Sequence, residues 1–150
     1  MEHSIEVISN PTNSDRDRIL EPLLEYNDQA APPSEFETFA IVIRDNQTSE
    51  QVGGLWAKIN YDWLIVELTF IPEKLRGQDL GSLLLAKAEE IAIGKNCMGI
   101  WLDTHSFQAP DFYIKRGFEV FGQLEDHPRG SNRFFLRKVL NDSVPKMPNS

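Results

Sequence analysis

A short segment rich in small and basic residues, 72–82, joins an apolar stretch to an amphipathic one. At the start of a helix the first backbone N–H groups lack intrahelical partners, and the positive end of the helix dipole lies beside them. The glycines here would let a phosphate or pyrophosphate approach those N–H groups, and Arg76 and Lys74 would add positive charge. The lysine-serine ending of a nucleoside-triphosphatase loop is missing. The alternative is a tight turn in which the Asp79 carboxylate caps the helix.

Glu67 has the sequence surroundings of a general base. It lies inside an apolar run, residues 64–70, and the two-residue alternation of a strand puts it on the face of Ile65 and Thr69. A buried carboxylate holds a proton more tightly than an exposed one, which suits it to proton transfer near neutral pH. The alternative is a Glu67 side chain that pairs with Lys58 on a neighbouring strand or faces solvent.

Other polar and aromatic residues could contact a bound substrate. Asp103 ends a predicted strand, where its carboxylate could bind substrate, act as a weaker candidate for the base, or cap a turn. In the loop 125–130, Asp126 and His127 could touch the same molecule, or the loop could be a solvated hairpin connection. Four aromatic residues near turns or helix ends could hold a cation against a ring face or pack in the core: Tyr26, Trp56, Tyr61 and Trp63.

Composition restricts the class of protein. The formal net charge of −8 favours cationic ligands and disfavours nucleic acid, or it serves only solubility. A single cysteine, Cys97, excludes an internal disulfide and fits a reducing compartment. The three histidines lack metal-ligand spacing. The chain shows neither a secretory signal nor the about 20 consecutive apolar residues of a membrane span. We therefore expect a cytoplasmic protein without a bound metal.

A single α/β domain must position these residues. Hydrophobic periodicity predicts the element order β-α-β-β-β-α-β-α-β-β over residues 1–140, followed by a frayed tail at 141–150. The predicted strands are residues 5–8, 38–44, 51–59, 63–71, 98–103, 118–123 and 133–139. The nearly unbroken apolar run at 63–71 is typical of a strand covered on both faces. We expect it to form a right-handed parallel crossover with the strand at 98–103.

Three helices connect these strands. The first begins at Ser14 with Asp17 as a weak capping partner, and Pro22 should kink or split it. The second helix buries a face that includes Leu83, and Gly94 follows its last turn as the C′ residue. The third helix spans residues 109–116 and ends at Gly117.

Two motifs together carry a family resemblance. The segment Pro-x-x-x-Arg-Gly-x-x-x-Gly at 72–81 resembles the acetyl-CoA loop of the GNAT superfamily of N-acetyltransferases. The segment Ala-Pro-Asp-Phe-Tyr-Ile-Lys-Arg-Gly-Phe at 109–118 resembles that family's second hallmark helix. The segments at 101–109 and 134–138 are similar to those of a bacterial subgroup whose members mostly lack an assigned substrate. The resemblance covers roughly residues 5–140.

The resemblance implies a fold and a cofactor site. The fold is a mixed, mostly antiparallel sheet flanked by helices on both faces, with a splayed pair of parallel central strands. Acetyl-CoA would be the cofactor and CoA the product, with Tyr113 protonating the departing thiolate. Backbone groups of Phe70 and Ile71 would pair with the pantetheine arm. The pyrophosphate would be held by backbone N–H groups of Arg76, Gly77, Gln78, Asp79, Leu80, Gly81 and Ser82.

Two positions depart from the family pattern, and the acceptor stays open. Asp79 stands where the family usually has Gly, and Ser106, expected near pantetheine, stands where it often has Asn. The resemblance and the acidic charge imply acetyl transfer to a primary amine of a small cationic molecule, without nucleic acid or membrane as partner. The alternatives are a CoA-binding module with little or no turnover, and an acetyltransferase of protein lysines or N-terminal amines. A homodimer is compatible with the sequence, and no residue pattern indicates one.

Overall fold

The computed structural model describes residues 2–141, so the predicted tail lies almost wholly outside the described residues. The chain divides into two units, Met1–Ser34 and Glu35–Ser150, which are described separately. Residues 5–8 form no strand, and the prediction of a first strand there is wrong. A β-branched run becomes a strand only by pairing with a ladder partner, and these residues have none among residues 2–141. The single domain over residues 1–140 stays a prediction.

Helix α1 (Asn13–Ala30) begins after Thr12, not at Ser14 as predicted. The Thr12 N–H donates to the Asp15 carboxylate over 2.8 Å, and the Asp15 N–H donates to the Thr12 hydroxyl over 3.4 Å. This reciprocal capping box takes the role predicted for Ser14 and Asp17. The helix continues through Pro22 without a break, so the predicted split is also wrong.

Within residues 2–141, six strands form one sheet in the order β1-β2-β3-β4-β6-β5. The strands are β1 (Glu37–Arg44), β2 (Gln51–Asn60), β3 (Trp63–Phe70), β4 (Gly99–His105), β5 (Glu119–Leu124) and β6 (Arg133–Val139). Every neighbouring pair is antiparallel except β3 and β4. The structure therefore confirms a mixed, mostly antiparallel sheet with one parallel central pair.

Helix α2 (Leu80–Gly94) connects β3 to β4 and packs on one face of the sheet. Its buried face differs from the prediction, because Leu85 is buried whereas Leu83 is 59% exposed. Gly94 is the last helical residue, and Asn96 takes the left-handed conformation beyond the helix with φ of 59°. Asparagine tolerates that conformation better than most residues, which explains why glycine is not needed there.

The core lies between α2 and the adjacent sheet face. Four large side chains in it are fully buried: Leu64, Ile100, Leu102 and Leu136. Helix α3 (Pro110–Ile114) follows β4, and its Phe112 and Tyr113 pack against the same core. Gly117 follows the helix with φ of +94°, close to the predicted helix end.

Two features are absent from residues 2–141, the part of the chain that the structure describes. No helix in this range is long and apolar enough to cross a membrane. The same range contains no group of three His, Cys, Asp or Glu side chains placed to hold a metal ion.

Candidate active site

The parallel strands β3 and β4 pair over only half of their length. Their register runs from Trp63 and Gly99 to Val66 and Leu102. Beyond these residues β3 stays paired with β2, and β4 stays paired with β6. The two strands therefore separate at their carboxyl ends and leave an opening in the middle of the sheet. Phe70 is 59% exposed at this edge, so the prediction of a strand covered on both faces is wrong for the second half of β3.

A β-bulge lies where this opening begins. Val66 pairs with Ala57 and Leu68 pairs with Trp56, so Glu67 is an extra residue on β3. A bulge bends its strand and re-aims the side chains that follow, and bulges are frequent beside active sites. The two-residue alternation on which the sequence prediction relied is interrupted at Glu67.

The bulge separates Glu67 from Thr69. Thr69 pairs with Leu55, which is buried on the face covered by α2. Glu67 forms an ion pair with Lys58 on the opposite face, with 3.6 Å between Lys58 Nζ and Glu67 Oε2. The predicted common face of Glu67 and Thr69 is therefore wrong. Burial of Glu67 is wrong as well, because its side chain is 38% exposed, and the pairing with Lys58 is confirmed.

Tyr113 lies on the α2 side of the opening. Its hydroxyl hydrogen-bonds the Thr69 side chain, and burial raises the pKa of the phenol above its ordinary value. Its ring packs edge-on against Phe112 and Phe118, with centroids 5.1 Å and 5.9 Å away. A neutral phenol with its oxygen beside β3 can donate a proton to a thiolate in the opening. Both Phe112 and Tyr113 contact the core.

The predicted phosphate loop leads into the first turn of α2. Asp79 precedes the helix with φ of 59°, and its carboxylate makes no capping hydrogen bond. The interpretation of this segment as an Asp79-capped turn is therefore wrong, and the carboxylate does not occupy the first-turn amides. The Arg76 Nε donates to the Ile71 carbonyl over 3.1 Å, which holds the loop against the end of β3. Gly77 has φ of +85° and open space where a side chain would stand.

Ser82, at the end of this loop, has a partner that sequence reasoning missed. Arg116 lies 34 residues further along the chain, just after α3, and its Nε donates to the Ser82 Oγ over 2.8 Å. Its position inside the second motif, between Lys115 and Gly117, was the available signal. The spacing of the motif alone does not reveal that it reaches α2.

Two polar groups near the end of β4 are occupied by other partners. Asp103 forms an ion pair with Arg133, 2.8 Å apart, and raises the pKa of that guanidinium. It lies within β4, so its interpretation as a capping or turn carboxylate is wrong. The Ser106 hydroxyl accepts a hydrogen bond from the Asn132 N–H over 3.1 Å, which ties the end of β4 to the segment before β6.

His105 is a second residue that sequence reasoning missed. Its Nδ1 lies 2.8 Å from the carbonyl oxygen of His127, and the two rings stack with centroids 5.7 Å apart. A carbonyl oxygen can only accept, so Nδ1 carries the proton and Nε2 of the neutral ring carries the lone pair. The structure thus places the predicted residue His127 beside the carboxyl end of β4.

The four aromatic residues considered for cation binding lie in different parts of the structure. Trp56 lies across from Leu68, on the face that carries Lys58, and is partly exposed. Tyr61 and Trp63 lie at the opposite end of β3, away from the opening. Tyr26 is an exposed residue of α1, in the other unit.

Comparisons with known proteins identify relatives of this chain. A family model described as "Acetyltransferase (GNAT) family" matches residues 4–118. Acetyltransferase Atu2258 of Agrobacterium fabrum is 35% identical over 133 residues, which cover 88% of this chain and 96% of that protein. Blasticidin-S acetyltransferase of Streptomyces morookaense is 34% identical over 113 residues, which cover 75% of this chain and 80% of that protein.

A solved structure gives the same result for the fold. An acetyltransferase from Bacillus cereus superposes with a TM-score of 0.81 at 31% identity, covering 90% of this chain and 98% of that one. A family match over residues 4–118 exceeds half of the chain, and the relatives share the catalytic class. The chain belongs to the acetyltransferase (GNAT) family and is an acetyl-CoA-dependent N-acetyltransferase that releases CoA.

Proposed function

We propose that this enzyme acetylates a primary amine of a small, cationic molecule by direct attack on acetyl-CoA. The observation that carries the proposal is the opening between β3 and β4. A neutral phenol, Tyr113, lies on its α2 side, and a carboxylate, Glu67, lies on the other. The thioester would enter from the side of α2, and the amine would approach from the side of Glu67.

The cofactor contacts follow the loop. Backbone N–H groups of residues 76–82 would hold the pyrophosphate at the start of α2. The main-chain groups of Phe70 and Ile71 would pair with pantetheine along the unpaired edge of β3. The Ile71 carbonyl already accepts from Arg76, so its second lone pair is the one open to pantetheine. The Ser106 hydroxyl accepts from the Asn132 N–H, so its own hydrogen would be the group offered to pantetheine.

The proposed reaction transfers one acetyl group from the thioester sulfur to the amine nitrogen. The nitrogen loses one proton and the sulfur gains one. The amine nitrogen bonds to the thioester carbon, and a backbone N–H of β3 stabilises the resulting oxyanion. Collapse of the tetrahedral intermediate breaks the C–S bond, and Tyr113 protonates the departing thiolate. Glu67 takes the proton that the amine loses, directly or through one water.

Charge and similarity support the acceptor class. The net charge of −8 attracts cations. On the Glu67 side, the exposed ring of Trp56 offers a face for an ammonium group. Asp103 and His127 would complete the acceptor site at the end of β4. The 34% identical Blasticidin-S acetyltransferase is, by its name, an enzyme that acts on a small molecule.

The proposed compartment is the cytoplasm. In this proposal the enzyme uses cytoplasmic acetyl-CoA. Cys97 is a free, buried thiol, and burial raises its pKa above the ordinary value. Such a thiol is a poor nucleophile and does not need an oxidising compartment.

An acceptor panel tests the proposal. Release of CoA thiol is measured with polyamines, amino-sugar antibiotics, amino-acid amides and lysine-containing peptides, with acetyl-CoA binding followed by calorimetry in parallel. We expect the highest kcat/KM with a small amine that carries more than one positive charge. Turnover confined to peptide amines would assign a protein acetyltransferase instead, and CoA binding without thiol release from any amine would assign a binding module.

A further inference from the structure

We infer that Arg116 makes the Ser82 hydroxyl a dedicated hydrogen-bond donor toward the pyrophosphate of acetyl-CoA. Arg116 is thus a positioning residue for the cofactor, acting through Ser82 across 34 residues of sequence. The inference concerns cofactor binding alone and does not depend on the class of the acceptor.

The hydrogen-bond donors around Ser82 determine where its hydroxyl hydrogen can point. A serine hydroxyl has two acceptor lone pairs and one hydrogen. The Arg116 Nε and Nη2 both donate to Ser82 Oγ, so the guanidinium fork occupies both lone pairs. The hydroxyl hydrogen can then only point away from Arg116. Ser82 has no acceptor for that hydrogen among residues 2–141, which leaves it available to an anion at the start of α2.

The positive charge of Arg116 also strengthens the Ser82 hydroxyl as a hydrogen-bond donor. Hydrogen bonds from a guanidinium are stronger than those between neutral groups, and they polarise the hydroxyl that accepts them. The Ser82 O–H is therefore a better donor to a phosphate oxygen than an isolated serine. Because Arg116 contacts the Ser82 side chain, its positive charge also lies close to the loop at residues 76–82. Arg76, which was expected to supply charge there, has its Nε committed to the Ile71 carbonyl.

The guanidinium is held in one orientation. Its Nη1 donates to the Phe112 carbonyl over 2.8 Å, and its carbon lies 3.7 Å from the centroid of the Phe112 ring. That ring packs against Gly81, where an added Cβ would lie 2.8 Å from Phe112 Cζ. The missing side chain at Gly81 therefore lets α3 come close enough for Arg116 to reach Ser82.

Space beside the pair is open to a ligand. Ser82 and Arg116 border a cavity of about 470 Å³ at the surface between α2 and the end of α3. Glu89, which also borders it, is paired with Lys138 over 3.0 Å, so its charge is compensated. The lining of this cavity is therefore net positive, through Lys115 and Arg116.

A double-mutant cycle on the full chain tests this coupling. Calorimetry gives the Kd for CoA of wild type, Ser82→Ala, Arg116→Gln and the double variant. NMR titration gives the Kd for pantetheine, which lacks the pyrophosphate. We expect each single change to weaken CoA binding about tenfold, as for loss of a charge-assisted hydrogen bond, and the double change to add little more. Pantetheine affinity should stay within about twofold.

Matched variants separate this role from a purely structural one. Arg116→Lys keeps the charge but lacks the fork, so it should recover only part of the CoA affinity. Lys87→Gln removes one positive charge from the exposed side of α2 and should leave the Kd unchanged. Equal weakening of CoA and pantetheine, additive single effects, or full recovery by Arg116→Lys would each overturn the inference. The melting temperature of every variant is recorded, so that loss of folding is recognised.

Discussion

The Tyr113 hydroxyl hydrogen-bonds the Thr69 side chain, so α3 contacts β3 at the point where β3 and β4 cease to pair. Thr69 points toward α3 because the bulge at Glu67 shifts the alternation of β3 by one residue. The same shift sends Glu67 to the opposite face. One extra residue in a strand thus divides the proposed acid and base between the two sides of the opening.

Tyr113→Phe tests the proposed acid. The variant keeps the ring and its packing but loses the proton donor, so kcat should fall about tenfold to a hundredfold. The Kd for CoA should change by less than about twofold, because the hydroxyl is proposed to act on the leaving thiolate. Thiol release and calorimetry measure the two quantities. Unchanged kcat would remove Tyr113 from the mechanism.

The pH dependence of the same variant supplies an independent check. Burial raises the pKa of Tyr113, so the phenol stays protonated beyond the ordinary tyrosine value of about 10. Wild-type kcat should therefore hold on the alkaline side until the phenol ionises above that value, and Tyr113→Phe should lack this decline. Tyr61→Phe, at the other end of β3, is the matched control and should behave as wild type.

Glu67→Gln tests the proposed base. At pH 7 a primary amine is almost wholly protonated, so loss of the base should lower kcat/KM about a hundredfold. The deficit should shrink toward pH 10, where the amine of pKa about 10.4 loses its own proton. Profiles of kcat/KM against pH for both proteins make the comparison.

Glu90, an exposed carboxylate on α2, provides the matched control for the Glu67 variant. Glu90→Gln removes an exposed carboxylate whose one ion-pair partner within residues 2–141 is Lys87, and it should leave the profile unchanged. A deficit of the same size at every pH would show that Glu67 binds the acceptor without taking its proton. The His105 Nε2 would then be the next group to test by His105→Gln.

Patterns within single segments predicted most of this fold. The apolar run at 63–71 and the helical period after it identify β3, α2 and the parallel crossover to within one or two residues. The loop residues 76–82 were also placed correctly at the start of α2. These features depend on burial and on helix-end chemistry, which are encoded locally.

Features that depend on pairing could not be read from the chain. The bulge at Glu67 exists only in the register between β2 and β3, and it reversed the predicted face of Thr69. Arg116 and Ser82 meet through packing of α3 on α2, which no local pattern encodes. The β-branched residues 5–8 have strand propensity but no ladder partner among residues 2–141. Tertiary context overrides propensity in all three cases.

Asp79 puts a negative charge beside the proposed pyrophosphate site. Its carboxylate caps nothing, so Asp79→Asn removes the charge without removing a helix contact. We expect about threefold to tenfold tighter CoA binding at low salt, with the gain disappearing at 1 M salt as the charges are screened. Calorimetry at the two salt concentrations checks this. No gain at low salt would mean that the carboxylate points away from the phosphates.

Asp79→Gly separates backbone strain from charge. Asp79 has φ of 59°, which glycine adopts without steric cost. The glycine variant should bind CoA as tightly as Asp79→Asn, and only the glycine variant should relieve the left-handed strain. A gain in CoA affinity seen with glycine but not with asparagine would assign the effect to the backbone.

Gly81 tests whether close packing of α3 on α2 sets the cofactor site. An added Cβ would lie 2.8 Å from Phe112 Cζ and 3.3 Å from Ile71 Cδ1, so Gly81→Val must displace the Phe112 ring. Because Arg116 stacks on that ring, the Ser82 hydroxyl should lose its partner, and CoA affinity should fall at least about tenfold. Gly94→Ala is the control in the same helix: it meets no atom within 4 Å and should raise helix stability by about 0.5–1 kcal/mol with unchanged CoA affinity. Calorimetry and thermal unfolding measure both variants, and normal CoA affinity in Gly81→Val would contradict the placement of the pyrophosphate at the first turn of α2.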